Sequence, residues 1–247
     1  MSAFTKLRKF LARRTNGPDI DPESAYDLWS DHYDNQPENL ILALDREVFN
    51  ILIEDLDFRS TTIADVGCGT GRHWHQILDC GPARLVGFDV SSGMLAKLQE
   101  KIPDAETHRI SDFRLPTLYD QSCDFVISTL AVAHMEDFEN VFKEWCRVLK
   151  TNGRLIITDY HPVALQHGAN RTFMHKNRSF SIKNHIYSIE RLKMMAGQFA
   201  MESVRFIERK IDESVVGFYE KKNAMDVYAK FKGSPIIYGI MFKKISC

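Results

Sequence analysis

The sequence predicts an α/β fold built on a mostly parallel sheet, and three observations carry that prediction. Short β-branched runs alternate with helical runs between residues 61 and 159. A glycine-rich turn, Asp65-Val66-Gly67-Cys68-Gly69-Thr70-Gly71, follows the first such run and opens the next helix. Acids end successive strands at Asp89 and Asp112. Strand–helix–strand repetition needs crossover connections, and these set neighbouring strands parallel.

The elements follow in order. Residues 1–18 interleave Lys6, Arg8, Lys9, Arg13 and Arg14 with Phe4, Leu7, Phe10 and Leu11. Two readings of this stretch stand: a basic amphipathic helix for a membrane surface or organellar transit, and a terminal helix packed on its own domain. Asn16-Gly17-Pro18 breaks the chain, and Asp21 then caps a helix with Pro22 in its first turn. Leu40, Leu44, Val48, Ile51 and Leu52 recur at helical spacing within 38–56. Strands are predicted at 61–66, 84–89, 106–110, 123–128 and 154–159, with helices at 71–78, 92–101 and 138–149. Asn152-Gly153 is expected to end the last of these helices, with glycine in the left-handed turn. Residues 160–187 lack an apolar period and read as an inserted loop or lid; 188–199 read as a helix, and 204–211 and 236–243 as two closing strands. One domain over 1–247 is expected: helices of 1–60 covering the site, a core at 61–159, a lid at 160–187, and closing elements at 188–247.

Composition bounds the function. The chain has 247 residues, 44% hydrophobic, which supplies a core for one large domain. Its formal net charge of −1 shows no basic excess of the kind that phosphate-backbone binding favours. Five cysteines, an odd number with no C-x-x-C pair, argue against a disulfide framework and against a zinc site, so no metal is expected. Reduced thiols fit a cytoplasmic setting, and no apolar run approaches the ~20 residues of a membrane span.

The glycine turn excludes two nucleotide motifs. Counting from Gly67, the last glycine of G-x-G-x-x-G falls on Arg72, and no Gly-Lys-Ser/Thr follows for a P-loop. Asp65, before the first glycine, would repel a pyrophosphate and suits a cationic ammonium group. Backbone N–H groups of Gly67, Cys68, Gly69, Thr70 and Gly71 at the helix start suit a carboxylate. Asp89, at the second strand's end, matches a ribose diol. Asp112 and Phe113, ending the third, match an adenine edge. Each acid taken alone also reads as a loop acid or helix cap.

These segments resemble the class I methyltransferases that use S-adenosylmethionine, of the group that includes the ubiquinone and menaquinone biosynthesis enzymes. The resemblance runs from about Tyr26 to Asp159. It is carried by the glycine turn, Gly87-Phe88-Asp89-Val90-Ser91, Ser111-Asp112-Phe113-Arg114-Leu115-Pro116, Cys123-Asp124-Phe125-Val126-Ile127-Ser128, and Glu144 through Leu155. It implies a Rossmann-like three-layer αβα sandwich whose sheet has seven strands, mostly parallel, with the last antiparallel. It implies S-adenosylmethionine as cofactor, with Asp65 and the turn on its methionine part, Asp89 on ribose, and Asp112 and Phe113 framing adenine. Val90 and Met94 would pack on the adenine face, and Ser128 and Thr129 would offer a backbone carbonyl to the ammonium. Tyr26, Trp29, Tyr33 and Asp34 resemble the segment that folds over the cofactor; aromatics at helical spacing also read as core.

A sulfonium methyl is already reactive, so the protein must chiefly align the reactants. Polar groups that can serve the acceptor are Tyr33, His134, Asp159 and His161, with histidine the natural base near pH 7. Each also has a structural reading, as loop, strand-end or turn residue. Arg171, Phe173, His175, Arg178 and Phe180 of the lid suit an aromatic or acidic small molecule, or RNA gripped and stacked. Three functions therefore stand: small-molecule methyl transfer, favoured by the charge balance; nucleic-acid methyl transfer; and a cofactor-binding scaffold without catalysis.

Overall fold

The computed structural model describes residues 19–36, 38–176 and 178–246. The basic stretch 1–18 and Cys247 lie outside the described residues. In chain order the elements are β1 (Asp19–Ile20), α1 (Pro22–Tyr33), α2 (Leu40–Ile53), β2 (Thr62–Val66), α3 (Trp74–Leu78), β3 (Arg84–Asp89), α4 (Ser92–Lys101), β4 (Glu106–Arg109) and β5 (Cys123–Thr129). There follow α5 (Phe138–Val148), β6 (Leu149–Tyr160), α6 (Pro162–Gln166), β7 (Thr172–His175), β8 (Arg178–Ile182), α7 (Ile189–Gln198), β9 (Met201–Lys210), α8 (Val216–Lys221), α9 (Met225–Phe231) and β10 (Pro235–Lys244).

Seven strands form the main sheet in the order β4-β3-β2-β5-β6-β10-β9. The strands from β4 to β6 pair in parallel, and β10 inserts antiparallel between β6 and β9. Fold class and antiparallel last strand are therefore as expected. Strand alternation divides the core into two layers. Val126, Leu155, Ile157 and Ile240 face α5 and α7, where Phe142, Trp145 and Leu192 pack. Phe125, Ile127, Ile156 and Met241 face α2, α3 and α4, where Phe49, Leu52, Trp74 and Leu98 pack. On α5, Phe138, Val141, Phe142, Trp145 and Cys146 are buried, an i, i+3, i+4, i+7 stripe. Each large side chain so buried contributes about 1.5–3 kcal/mol of transfer free energy. The α2 helix lies so close over β10 that a Cβ on Gly239 would stand 2.4 Å from Val48 Cγ1.

Four local expectations are corrected. Helix α3 spans only five residues, because the chain from Thr70 to His73 still turns. Helix α5 ends at Val148, and β6 already begins at Leu149. The left-handed residue there is Asn152 (φ 67°), whereas Gly153 is required because a Cβ would lie 2.9 Å from the Lys150 carbonyl. Residues 160–187 are no plain loop: they hold α6 and the β7–β8 hairpin, whose apolar side chains face the first helix instead of the main core. Residues 212–234 hold α8 and α9, anchored by isolated buried side chains such as Val215 and Tyr228 that make no readable period.

A second, three-stranded sheet has the order β1-β8-β7. Asp19 and Ile20 pair in parallel with Ser181 and Ile182. Trp29 of α1 stacks on Phe173 at 5.1 Å, and Ala25 and Ile182 are buried with them. This sheet and α1 together lie over the carboxyl ends of the main strands.

Candidate functional site

A cavity of about 440 Å³ opens where β2, β3, β4 and β5 end, with Tyr26 and Tyr33 of α1 on its far wall. That is where an open parallel sheet presents its crevice. Helix α1 is seated by side chains. Asp21 caps it through Ser24 N at 2.9 Å. Asp27 accepts from Ser91 Oγ at 2.6 Å and from Gly93 N at 2.9 Å, and Asp34 accepts from Thr70 Oγ1 at 2.7 Å and from Lys101 Nζ at 2.9 Å. Glu23 pairs with Arg109.

The glycine turn is built for close approach. Gly67, Gly69 and Gly71 have φ of 75°, 53° and 70°. A Cβ on Gly67 would stand 2.5 Å from Ala131 Cβ, and one on Gly71 would stand 2.4 Å from Leu98 Cδ1. At Gly69 nothing lies within 4 Å, so this glycine faces open space. The turn's amides are spent internally. Gly67 N and Cys68 N donate to the Phe88 carbonyl at 2.7 and 3.2 Å, Gly69 N to Asp89 Oδ2 at 2.8 Å, and Gly71 N to the Cys68 carbonyl at 2.9 Å. The expectation that these amides and a helix start hold a carboxylate is thereby corrected for these four. The positive group at this end is Arg72, which lines the cavity. Its Nη1 lies 2.6 Å from Asp45 Oδ2, a close ion pair out of line for a hydrogen bond, and its Nη2 lies 3.5 Å from Thr129 Oγ1. Burial opposes ionisation of Asp45, but Arg72, His73 and Thr158 outweigh it and hold the carboxyl well below its usual range. Arg72 enters the sequence reading only as the residue that spoils a dinucleotide motif; a guanidinium directly after the last glycine was the signal available.

Two of the three expected acids reach the cavity. Asp89 lines it, with Oδ1 accepting from Ser91 N at 2.9 Å and Oδ2 from Gly69 N. Burial pushes its carboxyl up, against the pull of those amides. Asp112 lines the mouth beside Phe113, Val90 and Met94. Arg114 holds Asp112 through its side chain and its N–H, below the usual carboxylate range. Asp65 is the exception. It lies beneath the turn, outside the cavity lining, and its Oδ2 accepts from Trp74 Nε1 at 2.8 Å. Its Oδ1 is buried without a partner. Burial, with the nearby charge of Asp89, lifts its carboxyl to about 7 although the Trp74 bond opposes. Gly71 and Ser128 also lie outside the lining: Gly71 is packed under Leu98, and Ser128 Oγ donates to the Val66 carbonyl at 2.8 Å. Cys68, Thr70 and Thr129 line it.

Of the four acceptor-side candidates, Tyr33 and His134 line the cavity. Asp159 and His161 do not, which corrects both as groups facing the reaction. Asp159 is 1% exposed and accepts from Ala133 N and Tyr160 N, each at 2.7 Å, so it anchors the backbone after β5 and β6. His161 caps α6 by accepting from Val163 N at 3.2 Å, and its Nε2 lies 3.0 Å from Glu208 Oε1. His134 is a poor base. Its Nδ1 faces the Lys183 carbonyl at 2.9 Å and must donate, leaving the Nε2 lone pair to Tyr26 Oη and Arg171 Nη1, each at 3.0 Å. Burial, with the Arg171 charge, takes its pKa down to about 3.

Arg171 is the hub of this end. It is 8% exposed, donates from Nη1 to Tyr26 Oη, and stacks 5.5 Å over the Tyr160 ring. Its Nη2 stands 3.6 Å from Asp159 Oδ1, too far for a hydrogen bond, and has no hydrogen-bond partner among the described residues. With Tyr33 and Leu130 it forms a wall common to the first cavity and a second one of about 550 Å³. Leu130 is buried with φ 54°, a left-handed conformation that a leucine adopts at a cost of about 1–2 kcal/mol.

Residues 64–157 match the family model described as a methyltransferase domain. These residues are a class I methyltransferase domain. The demethylmenaquinone methyltransferase of Bacteroides fragilis is 32% identical over 146 residues, which cover 56% of this chain and 59% of that protein. The malonyl-[acyl-carrier protein] O-methyltransferase of Hahella chejuensis is 38% identical over 96 residues, 38% of this chain and 34% of that one. The chain thus spans about half the length, or less, of these curated relatives. An S-adenosylmethionine-dependent methyltransferase structure from Mesorhizobium loti superposes with a TM-score of 0.61 at 16% identity, covering 78% of this chain and 95% of that one, which is a likeness of fold. S-adenosylmethionine is the cofactor of this domain class, and the crevice has the donor set for it: a fixed carboxylate, an apolar slot and a guanidinium on one wall. Among the described residues no helix is long and apolar enough to cross a membrane, and no acid, histidine or cysteine cluster has metal-binding geometry.

Proposed function

We propose that the methyltransferase domain transfers a methyl group from S-adenosylmethionine to a small-molecule acceptor. The observation that carries this reading is Asp89, a buried carboxylate pinned by Gly69 N and Ser91 N between the glycine turn and the Asp112–Phe113 edge. Each of its oxygens has a lone pair left for a ribose hydroxyl. Val90, Met94 and Phe113 give adenine an apolar slot, with Asp112 at its edge. Arg72 takes the methionine carboxylate, held in place by Asp45. Thr129, at the end of β5, offers its carbonyl oxygen to the ammonium, the role the sequence shares between Ser128 and Thr129.

When bound, the cofactor supplies a methyl on a positively charged sulfur, which leaves as a neutral thioether with the bonding electron pair as the acceptor's lone pair takes the methyl carbon. The chain's own part is orientation and exclusion of water. Helix α1, fixed through Asp27 and Asp34, covers the crevice, and Tyr26 and Tyr33 narrow it toward Arg171. His134 does not take the acceptor's proton, because its lone pair is held by a cation and a phenol.

A small molecule suits the mouth better than a nucleic acid does. Asp21 and Asp137 border the cavity beside Glu23, Asp112 and Glu136, whose charges Arg109, Arg114 and Lys183 offset, so the mouth has no basic excess to draw a polyanion. The similarity to quinone and acyl-carrier methyltransferases supports the same choice. Isothermal titration with S-adenosylhomocysteine tests the reading: one site per chain is expected, and no detectable binding would refute it. Extract incubated with methyl-labelled cofactor then identifies the acceptor by what gains the label.

A further inference from the structure

We propose that the second cavity is the acceptor chamber, and that its acceptor carries a flat ring and a carboxylate bound by Arg171. The inference rests on the methyltransferase reading above and adds the chemical class of the acceptor. The two cavities share Tyr33, Leu130 and Arg171 in their linings, which sets the second beside the proposed cofactor cavity.

The chamber's chemistry selects the guest. Trp29, Tyr33 and Tyr160 present aromatic surface, which favours a flat ring. Two cations border it among the described residues, Arg171 and Lys222. The one acid of that lining, Glu38, has its carboxylate paired with Lys221 at 3.0 Å, whereas Lys222 donates to the Glu38 carbonyl at 3.2 Å. Asp159 stands 3.6 Å from Arg171 behind this wall, so the charge left over is that of Lys222.

Arg171 gives the chamber a cation of fixed position. Its Nη2 is buried without a hydrogen-bond partner among the described residues, while Nη1 is held by Tyr26 and His134 and the guanidinium carbon lies 5.5 Å from the Tyr160 ring centroid. A buried donor without an acceptor is costly, and a guest carboxylate removes that cost. Asp159 does not fill the role: its two oxygens already accept 2.7 Å bonds from Ala133 N and Tyr160 N, and its nearest approach to Nη2 is 3.6 Å. A guanidinium whose orientation is set in advance binds a carboxylate better than a mobile one does.

The test titrates benzoate and cinnamate, beside benzamide and cinnamamide, into the protein with and without saturating S-adenosylhomocysteine. At least one acid is expected to bind about tenfold or more tighter than its amide. Arg171→Gln should bring that acid to the level of its amide while leaving the amide's own affinity within twofold. Should Arg171→Gln fail to fold, Thr172→Trp, which fills the second cavity from β7, should abolish acid binding and spare the first cavity. Amides that bind as well as the acids, or acid binding untouched by Thr172→Trp, would overturn the proposal. Failure of S-adenosylhomocysteine to bind strikes the methyltransferase reading instead, and the acid–amide comparison without it still judges the chamber.

Discussion

The two ends of the crevice are made differently. At the cofactor end, one stretch of chain does most of the work: the turn from Gly67 to Gly71 bonds to itself and to Asp89, which stands 20 residues beyond its partner Gly69. At the acceptor end, Tyr26 reaches His134 and Arg171 through side chains, across 108 and 145 residues of sequence, with a single guanidinium joining the three. Backbone geometry fixes the first, and mutual burial fixes the second. Substitution should therefore separate them cleanly.

The largest effect is expected at Asp89. On the proposed reading Asp89→Ala removes the carboxylate that takes the ribose and frees two amides, and should weaken S-adenosylhomocysteine about 100-fold on the scale of charged hydrogen bonds. Calorimetry that finds unchanged affinity would break the comparison at its stronger end.

Of similar size is a pair of opposite pH dependences. Asp65 has its folded pKa raised from 3.8 to about 7, so the native state holds a proton that the unfolded chain has released. Its contribution to stability falls as pH rises from about 4 to 7. His134 has its folded pKa lowered from 6.5 to about 3, so the unfolded chain holds the extra proton and stability rises with pH up to 6.5. The limiting slopes are about 1.4 kcal/mol per pH unit. Asp65→Asn keeps an acceptor for Trp74 and should gain on the parent protein as pH goes from about 4.5 to 7. His134→Gln should lose ground over about 4.5 to 6.5. Thermal melts across that range would show the two curves diverging; parallel curves would mean that burial does not set these groups as described.

Smaller is Tyr26→Phe, which deletes one phenol from the Arg171 network. It should cost about 1–2 kcal/mol of stability while leaving S-adenosylhomocysteine affinity within twofold. A loss of cofactor affinity as large as the loss of stability would show the two ends to be one unit. Smallest is Gly69→Ala, where only the left-handed backbone is strained, at about 1 kcal/mol. Gly67→Ala, which meets Ala131, should cost more, and equal melting temperatures would contradict the packing described.

This same contrast explains what can be read from the sequence. Strand β3 and helix α4 have the expected bounds, and β2, β5 and α5 match within a residue, because β-branched runs and helical stripes repeat there without interruption. The lining of the first cavity is legible through Gly67, Gly69, Asp89, Asp112 and Phe113, since a turn and strand ends are local features. Asp65 is not: chain position places it before the turn, but only the fold shows Trp74 covering it. Asp27 and Asp34, which seat α1, are equally silent, because their partners Ser91, Gly93 and Thr70 lie far along the chain. His161 is attractive as a histidine at a strand end, yet Pro162 beside it commits the ring to capping. Arg171 is one of several basic lid residues, and nothing near it in sequence distinguishes it from Arg178, which is exposed.

The pairing of β1 with β8 also has a consequence for biosynthesis. Ile20 finds its partner only when Ile182 exists, so the first described strand must wait through the synthesis of most of the chain. During that interval Trp29 has no Phe173 to stack on, and the crevice that the central strands have already outlined stays roofless. A ribosome-bound nascent chain ending before residue 182 would carry the glycine turn but neither β9 and β10 of the main sheet nor the paired strand that seats Ile20.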